Sequence, residues 1–175
     1  MTLSDRELRA EISDGYLGFT PPIDADIQIQ DSSIDIRLGD TLRVPEKVEG
    51  HVFYPSERIA QDRLGREEKI ALNGYILGPG EFVLGKTLER ITLPLHLSAR
   101  LEGKSSLARL GLMIHFTSAH VAPGFDGIIV LEIINLGPNR IALIPNMFIG
   151  QLVFEKMSML PKKAYSGKYA GQVNP

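Results

Sequence analysis

The sequence predicts an all-β fold with a few short helices. Glycine and proline turns recur at short intervals along the 175-residue chain, and short apolar or alternating segments lie between them. Many short strands joined by such turns are typical of a β-barrel or a β-sandwich. The strands are predicted at residues 34–38, 82–84, 91–93, 97–101, 113–117, 128–135, 141–144 and 151–154.

Two segments depart from this β pattern and predict short helices. Near the N-terminus, Ser4 and Glu7 have the spacing of a capping box, and Asp14-Gly15 ends the helix that they begin. The segment SSLARLG at 105–111 contains helix formers closed by a glycine and lies between two predicted strands. We expect one or two helical turns there.

The composition predicts one globular domain over residues 1–175. Apolar residues make up 43% of the chain and charged residues 23%, close to the average of globular proteins. Residues 54–73 are polar and predict a surface excursion, and residues 162–175 predict a mobile tail. No apolar run approaches the roughly 18 residues of a membrane span, and no signal-peptide core is present, so we expect a cytoplasmic protein without a membrane partner.

Charge and cysteine content exclude several classes of function. The net charge is −2 and no basic stripe is visible, which argues against binding to a nucleic acid polymer but not against a single nucleotide. Cysteine is absent, which excludes thiol catalysis and the zinc deaminase signature, and the four histidines show no HExxH-like spacing. A metal-free mechanism, or one that uses only substrate-bound magnesium, remains.

Glu132 is the residue most suggestive of chemistry. It interrupts the apolar strand 128–134, where parity places it on one face with Ile128, Val130 and Ile134. A strand that is apolar on both faces is predicted to be buried on both sides, where an ionised carboxylate costs several kcal/mol unless it is paired. Glu132 is therefore a candidate general base, with a structural ion pair as the alternative.

A second candidate site is the segment EGKSSLARLGL at 102–112. Gly103 allows a tight turn, and the hydroxyls and amides that follow it form a natural anion cradle beside the cations of Lys104 and Arg109. The alternative is an ordinary helix cap with a solvated Arg109. The segment is not a Walker loop, because the GxxxxGK[ST] pattern is absent.

The tail provides a third candidate. Tyr165, Lys168, Tyr169 and Gln172 lie among glycines, and such an aromatic, cationic and amide set on a flexible segment could fold over a base and its phosphates. The alternative is a plain disordered tail.

Taken together, these segments resemble the dCTP deaminase branch of the dUTPase superfamily. The resemblance spans most of the chain in the right order, and the strings KSSLARLG and VLE are its most specific parts. The matching strings are SSIDIRLG at 32–39, GEFVLG at 80–85, LEGKSSLARLG at 101–111, PGF at 123–125, VLE at 130–132, IGQL at 149–152 and GKYAGQ at 167–172.

The resemblance implies a homotrimer of distorted, dUTPase-like β-clip barrels with active sites at subunit interfaces. It implies that dCTP binds as a magnesium–triphosphate complex, without zinc, and is hydrolysed to dUTP and ammonia. Glu132 would be the general base, and Ser105 and Arg109 of a neighbouring subunit would position the water and stabilise charge. The implied substrate-binding residues are Lys104, Ser106, Leu107, Ala108, Val130, Leu131, Gln151, Tyr165, Lys168 and Gln172, with 162–175 as a lid.

The sequence departs from the family pattern beside the sugar end of the implied pocket. Ala122, in VAPG, stands where the family has an aspartate that contacts the deoxyribose, and in dUTPases the matching aspartate activates the hydrolytic water. Ser118 replaces the usual alanine. The leading hypothesis is therefore a monofunctional dCTP deaminase acting in dUMP and dTTP biosynthesis.

Two other functions are compatible with the sequence. One is a bifunctional dCTP deaminase and dUTP diphosphatase that releases dUMP. The other is a non-catalytic trimer that binds a nucleotide. Feedback inhibition by dTTP and the preference among cytosine nucleotides stay open at this point.

Overall fold

The computed structural model describes residues 1–50, 52–54, 65–166, 171 and 175. Within these ranges the chain forms three short helices and twelve strands. The helices are α1 (Asp5–Ser13), α2 (Ala25–Gln28) and α3 (Ser105–Ala108). The strands are β1 (Gly18–Thr20), β2 (Ile34–Arg37), β3 (Thr41–Val44), β4 (Arg66–Lys69), β5 (Tyr75–Leu77), β6 (Phe82–Thr92), β7 (Leu97–Gly103), β8 (Leu112–Met113), β9 (His120–Val121), β10 (Asp126–Asn135), β11 (Ile141–Leu143) and β12 (Phe148–Lys156).

The strands pair antiparallel in three sheets. The largest has the order β4-β3-β6-β10-β8, with β1 as a sixth strand that also pairs with β6. A four-stranded sheet has the order β2-β12-β7-β9, and β11 pairs with β5 in a two-stranded sheet. The prediction of an all-β fold with short helices is thus confirmed.

The prediction of a barrel is not confirmed, because the described strands form no closed barrel. Strands β8 and β9 have two residues each, so they end the ladders of the two larger sheets instead of joining them. A register shift between Phe148 and Gly150 also interrupts the pairing of β12 with β2. The layers are held together by side-chain packing rather than by one continuous ladder.

The core lies between the two larger sheets and continues beneath α1. Burial of such aliphatic and aromatic side chains contributes roughly 1.5–3 kcal/mol each. On β10, Leu131 and Ile133 are fully buried. Phe154 on β12 and Leu8 on α1 are also fully buried. This packing fixes β10 and β12, the two long strands that carry Glu132 and Gln151.

Several strand boundaries differ from those predicted. The segment 82–84 and residues 91–92 belong to one strand, β6, whose centre contains the polar residues Lys86, Thr87 and Glu89, and Leu93 lies beyond its end. The predicted strand 113–117 is wrong beyond Met113, because the backbone N–H of Phe116 turns to the Glu132 carboxylate instead of a neighbouring strand. Within the predicted excursion 54–73, residues 66–69 form β4, whereas 55–64 lie outside the described residues.

Helix α1 begins as predicted. The backbone N–H and the hydroxyl of Ser4 both donate to the Glu7 carboxylate, at 3.0 and 3.2 Å. The helix ends at Ser13 with Asp14 as its C-cap, and Gly15 follows with a φ of +75°, a conformation that favours glycine. Lys156 of β12 donates to Glu7 at 2.6 Å and ties the helix to the four-stranded sheet.

The segment around α3 also folds as predicted. After the single turn 105–108, Gly111 adopts a φ of +93° and approaches the backbone of Gly137 so closely that a Cβ would overlap it. The N–H of Leu136 donates to the carbonyl of Gly111 at 2.8 Å. The end of α3 is therefore joined to the segment that follows β10.

In the part of the chain described here, no helix is both long enough and apolar enough to cross a membrane.

Candidate functional site

Glu132 lies near the middle of β10, and its carboxylate is held by the backbone of another segment. The N–H of Phe116 donates to Glu132 Oε2 at 2.9 Å, and the N–H of Glu132 donates to the carbonyl of Ile114 at 2.9 Å. Among the described residues, no hydrogen bond reaches Oε1 of Glu132. The carboxylate is therefore oriented through one oxygen and leaves the other available.

The prediction that β10 is buried on both faces is wrong for the single chain. Leu131 and Ile133 face the core, but Val130, Glu132 and Ile134 on the opposite face are only half-buried. The predicted parity of Glu132 with Val130 and Ile134 is confirmed.

Val130 and Leu131, the predicted base-reading residues, lie just before Glu132. Val130 is opposite Lys86 and Leu131 is opposite Gly85 in β6. Alternate residues of a strand direct their N–H and C=O groups to the same edge. Since the N–H of Glu132 points away from β6, Val130 presents its backbone groups to the edge on which Ile114 lies.

The predicted catalytic partners Ser105 and Arg109 lie at the two ends of α3. Both are exposed, as are Ser106 and Ala108, whereas Leu107 packs against the core. Among the described residues, no hydrogen bond or ion pair joins either partner to Glu132 of the same chain. The structure therefore does not bring the three predicted catalytic residues together within one subunit.

Gln151 and the Gly103–Ser106 segment, by contrast, are brought together by the four-stranded sheet. Gln151 on β12 lies opposite Glu102 of β7 and Asp35 of β2. Its Nε2 donates to the carbonyl of Gly103 at 3.4 Å, and its Oε1 accepts from the hydroxyl of Ser33 at 2.9 Å. These contacts place an amide beside the turn that begins α3.

Lys104 is not a free cation. Its Nζ lies 2.5 Å from Oδ2 of Asp35, and the ammonium is also 5.7 Å from the centroid of the Phe148 ring. Lys104 is the N-cap residue of α3, directly before the two serines. The predicted anion cradle thus contains a carboxylate that its lysine already pairs with.

Ile114 connects the two regions. Its carbonyl accepts from Glu132 on β10, and its side chain contacts the space above Gly150, where a Cβ would overlap the Ile114 Cδ1. Gly150 immediately precedes Gln151 on β12. Ile114 therefore contacts both the strand that carries Glu132 and the strand that carries Gln151.

The start of the predicted lid packs on the turn that follows β9. The N–H of Tyr165 donates to the carbonyl of Pro123 at 3.1 Å, and the Tyr165 ring lies 6.0 Å from that of Phe125. Further along, Arg43 donates to the backbone oxygen of Pro175 at 2.9 Å. Lys168 and Gln172 lie outside the described residues, so their predicted roles stay predictions.

Ala122 lies in the same turn, and the nearby carboxylate of Asp126 does not replace the aspartate that the resemblance expects at position 122. The carbonyl of Ala122 accepts from the N–H of Phe125 at 3.1 Å. Asp126 accepts from Arg90 at 2.8 and 2.9 Å and from Thr92 at 3.1 Å. The hydrogen bond from Arg90 holds the pKa of Asp126 below its ordinary value, which makes this carboxylate a poor base.

Sequence reasoning missed the residues that hold the candidates in place. The alternation of Ile34, Asp35 and Ile36 predicts a half-buried strand with Asp35 on its polar face, yet all three residues are buried. The N–H of Phe116 carries no signal in the side-chain pattern. The sequence signal that could have indicated the role of Asp35 is its position between two isoleucines in a predicted strand.

No group of three or more histidine, aspartate and glutamate side chains in the described ranges is arranged to hold a metal ion. Any magnesium that accompanies a triphosphate would take its ligands from phosphate and water oxygens, as this ion commonly does. The expectation of substrate-bound magnesium stays a prediction.

The chain is similar to known proteins over its full length. The dCTP deaminase-like family matches residues 2–157. A protein of Rhodococcus jostii (strain RHA1) named "dCTP deaminase, dUMP-forming" is 45% identical over 181 residues, covering 100% of this chain and 94% of the relative. A protein of Mycobacterium bovis (strain BCG / Pasteur 1173P2) with the same name is 45% identical and 93% covered.

A solved structure agrees with these relatives. The 2'-deoxycytidine 5'-triphosphate deaminase from Agrobacterium tumefaciens superimposes with a TM-score of 0.68 at 25% sequence identity. The match covers 89% of this chain and 48% of that longer chain. The chain therefore belongs to the dCTP deaminase-like family.

Proposed function

We propose that this protein hydrolyses the exocyclic C–N bond of the cytosine in dCTP. The observation that carries the proposal is the Glu132 carboxylate, which is fixed through Oε2 by the Phe116 N–H and has Oε1 available on the half-buried face of β10. Full-length identity of 45% to proteins named dCTP deaminase supports the same substrate.

In the proposed reaction, Glu132 acts as general base and proton carrier. It takes a proton from a water molecule whose oxygen attacks C4 of the cytosine, and it delivers the proton to N3 of the ring. Glu132 then carries the proton that remains on the C4 oxygen to N4, the C4–N4 bond breaks, ammonia leaves, and the C4 oxygen becomes the carbonyl of uracil. The dUTP formed keeps its triphosphate.

Ser105 and Arg109 of a second subunit would complete this site. Both side chains are exposed in the single chain and neither reaches Glu132 of its own subunit. A guanidinium placed at the developing charge on the ring would stabilise the tetrahedral intermediate. Ser106, Gln151 and the lid residues Tyr165, Lys168 and Gln172 would hold the magnesium–triphosphate, and Val130 would hydrogen-bond the pyrimidine edge.

We propose dUMP as the final product, which corrects our sequence-based preference for dUTP. The relatives that support this product are named dUMP-forming and match this chain over its whole length. In the second step, a water would attack the α-phosphorus of dUTP, the bond to the bridging α–β oxygen would break, and pyrophosphate would leave.

A monofunctional, dUTP-forming enzyme is the second candidate, and Ala122 favours it. The resemblance places an aspartate at this position, and the structure shows the neighbouring Asp126 committed to Arg90. A dUMP-forming enzyme must therefore activate its second water with a group other than a side chain at 122.

The test is incubation of the purified protein with dCTP and magnesium, with ammonia measured and the nucleotides separated by chromatography. We expect ammonia and dUMP in equal amounts. Ammonia with dUTP alone would indicate the second candidate. Glu132→Gln keeps the shape and the Phe116 hydrogen bond, so it should fold like the wild type but release ammonia at least about 100-fold more slowly. Undiminished release by this variant would refute the proposed mechanism.

A further inference from the structure

We propose that Asp35 is a positioning residue for nucleotide binding, which acts through Lys104 on the turn that begins α3. The inference rests on the proposed function, because it assigns this turn to the triphosphate. Asp35 is only 5% exposed, and its Oδ2 lies 2.5 Å from the Nζ of Lys104. The two residues are 69 positions apart and join β2 to the end of β7.

The pair is placed where it controls the start of α3. Lys104 is the N-cap residue, so its backbone sets the direction in which Ser105 and Ser106 follow. Its side chain is held from two sides, by the Asp35 carboxylate and by the face of the Phe148 ring at 5.7 Å. These two contacts restrict the four rotatable side-chain bonds of Lys104, the residue directly before the two serines.

The Asp35–Lys104 pair is surrounded by further polar contacts. Gln151 lies opposite Asp35 in the sheet and donates to the carbonyl of Gly103, the residue before Lys104. Gln30 Nε2 lies 3.4 Å from Asp35 Oδ2. Gly103 and Lys104, the two residues that precede the serines, are thus both contacted by polar side chains of the same region.

The second carboxylate oxygen of Asp35 is the unusual feature. Oδ1 is buried and has no hydrogen-bond partner among the described residues. A buried carboxylate with one unsatisfied oxygen is costly for folding. If the pair served stability alone, we would expect both oxygens of the Asp35 carboxylate to have hydrogen-bond partners. The geometry therefore favours a role in positioning Lys104.

For the change in nucleotide affinity when Asp35 is neutralised, this inference and simple electrostatics predict opposite directions. If Asp35 only repelled the phosphates, its neutralisation would release the lysine ammonium and strengthen binding of an anionic nucleotide. If Asp35 positions the turn, neutralisation lets Lys104 and the serines lose their geometry, and binding weakens even though a negative charge has been removed.

The experiment measures the Kd of magnesium–dCTP by calorimetry in the Glu132→Gln background, where the bound nucleotide is not consumed. Asp35→Asn is expected to raise the Kd at least about tenfold. The matched control is Asp40→Asn, which removes the same charge beside another lysine, Lys69 at 3.3 Å, and should leave the Kd unchanged.

Lys104→Gln provides a second route if Asp35→Asn does not fold, since it removes the same pair from its less buried end. Lys104→Gln should weaken binding comparably, and the double variant Asp35→Asn/Lys104→Gln should bind no worse than the weaker single variant, because both changes remove one interaction. In active enzyme, Asp35→Asn should raise KM and change kcat little.

The outcomes separate the two proposals. An unchanged or lower Kd in Asp35→Asn, or strictly additive effects of the two substitutions, would overturn the positioning role while wild-type ammonia release still supports the proposed function. A wild type that neither binds dCTP nor releases ammonia would refute the proposed substrate, and the inference with it.

Discussion

At the scale of single residues, buried polar groups determine how the end of β10 is shaped. Asn135 is fully buried, and its amide nitrogen donates to the carbonyls of Leu77 and Asn139 at 3.1 and 2.7 Å. Its Oδ1 accepts from the N–H of Gly137 at 2.9 Å. One side chain therefore satisfies three backbone groups of the segments that surround the end of β10.

Asn135→Ala should lower the free energy of unfolding by about 3 kcal/mol, because it leaves several buried backbone groups without partners. Chemical denaturation measures the change. The control is Asn139→Ala, which truncates the same residue type at an exposed position and should cost less than about 0.5 kcal/mol. Equal losses in the two variants would contradict the role assigned to the Asn135 amide.

The residue at 122 is the second prediction at this scale. Ala122→Asp places a carboxylate in the turn where the resemblance expects one to contact the deoxyribose. If the sugar of the bound nucleotide lies beside this turn, the variant should bind dCTP about tenfold more tightly through a new hydrogen bond. Calorimetry in the Glu132→Gln background measures the Kd. An unchanged Kd would place the sugar elsewhere.

At the scale of secondary-structure elements, α1 is attached to β12 by one ionised contact. The Glu7 carboxylate accepts from Lys156 at 2.6 Å and from the backbone and hydroxyl of Ser4. The hydrogen bond from Lys156, followed by those from Ser4, lowers the pKa of Glu7 from 4.5 to about 2. The first helix is therefore held to the sheet by a carboxylate that stays charged in mild acid.

The stability that this contact contributes should depend on pH in a defined direction. Because the pKa of Glu7 is lower in the folded than in the unfolded chain, the contribution is complete above about pH 4.5 and is lost as the pH falls towards about 2. The difference in Tm between wild type and Glu7→Gln should be constant near neutrality and shrink over that acid range.

Lys156→Met supplies the control for this titration. It removes the largest cause of the lowered pKa, so in that background the loss should be smaller and should end closer to the ordinary pKa of 4.5. A Tm difference between wild type and Glu7→Gln that persists unchanged down to the acid end of the series would contradict the assignment.

At the scale of the whole molecule, the candidate catalytic residues are not brought together within one chain. Glu132 occupies a half-buried face of β10, and Arg109 is exposed at the end of α3. Several large apolar side chains near these elements are also exposed, including Leu110, Phe116 and Leu136 at 57%, 45% and 62%. A homotrimer, as the resemblance implies, is our proposal for what covers them.

Mixing two inactive variants tests whether sites are shared between subunits. Glu132→Gln and Arg109→Ala should each be inactive alone. If each site takes its carboxylate from one subunit and its guanidinium from the next, random re-association of equal amounts should restore about a quarter of the wild-type activity. Sedimentation of each variant as a trimer is the control for assembly. No recovery from mixed trimers would show that each site lies within one chain.

Local signals predicted local structure well. The capping box of Ser4 and Glu7, the end of α1 at Gly15 and the helical turn at 105–108 all depend on residues within a few positions of one another. Strand β6 was divided in two because its polar centre resembles a turn, although tertiary contacts bury Thr87 and Glu89 there.

The site itself was predicted as a set of residues but not as an arrangement. The partner of Lys104 lies 69 positions away, and that of Gln151 lies 118 positions away at Ser33. Such pairings follow from sheet order, which the pattern of apolar residues does not specify. The same reason explains why the described strands do not form the predicted closed barrel, since the number of strands does not determine which strand edges meet.

The bond between Leu136 and Gly111 has a mechanical consequence for a ring of such subunits. This hydrogen bond joins the end of the α3 segment, which carries Arg109, to the residue that follows β10, the strand that carries Glu132 of the same subunit. If Arg109 contributes to the site of the next subunit, a shift of α3 when a nucleotide binds there would also move β10 and the Glu132 site of its own subunit. Occupancy of one centre would then alter the affinity of the others, and the enzyme would respond to its substrate cooperatively.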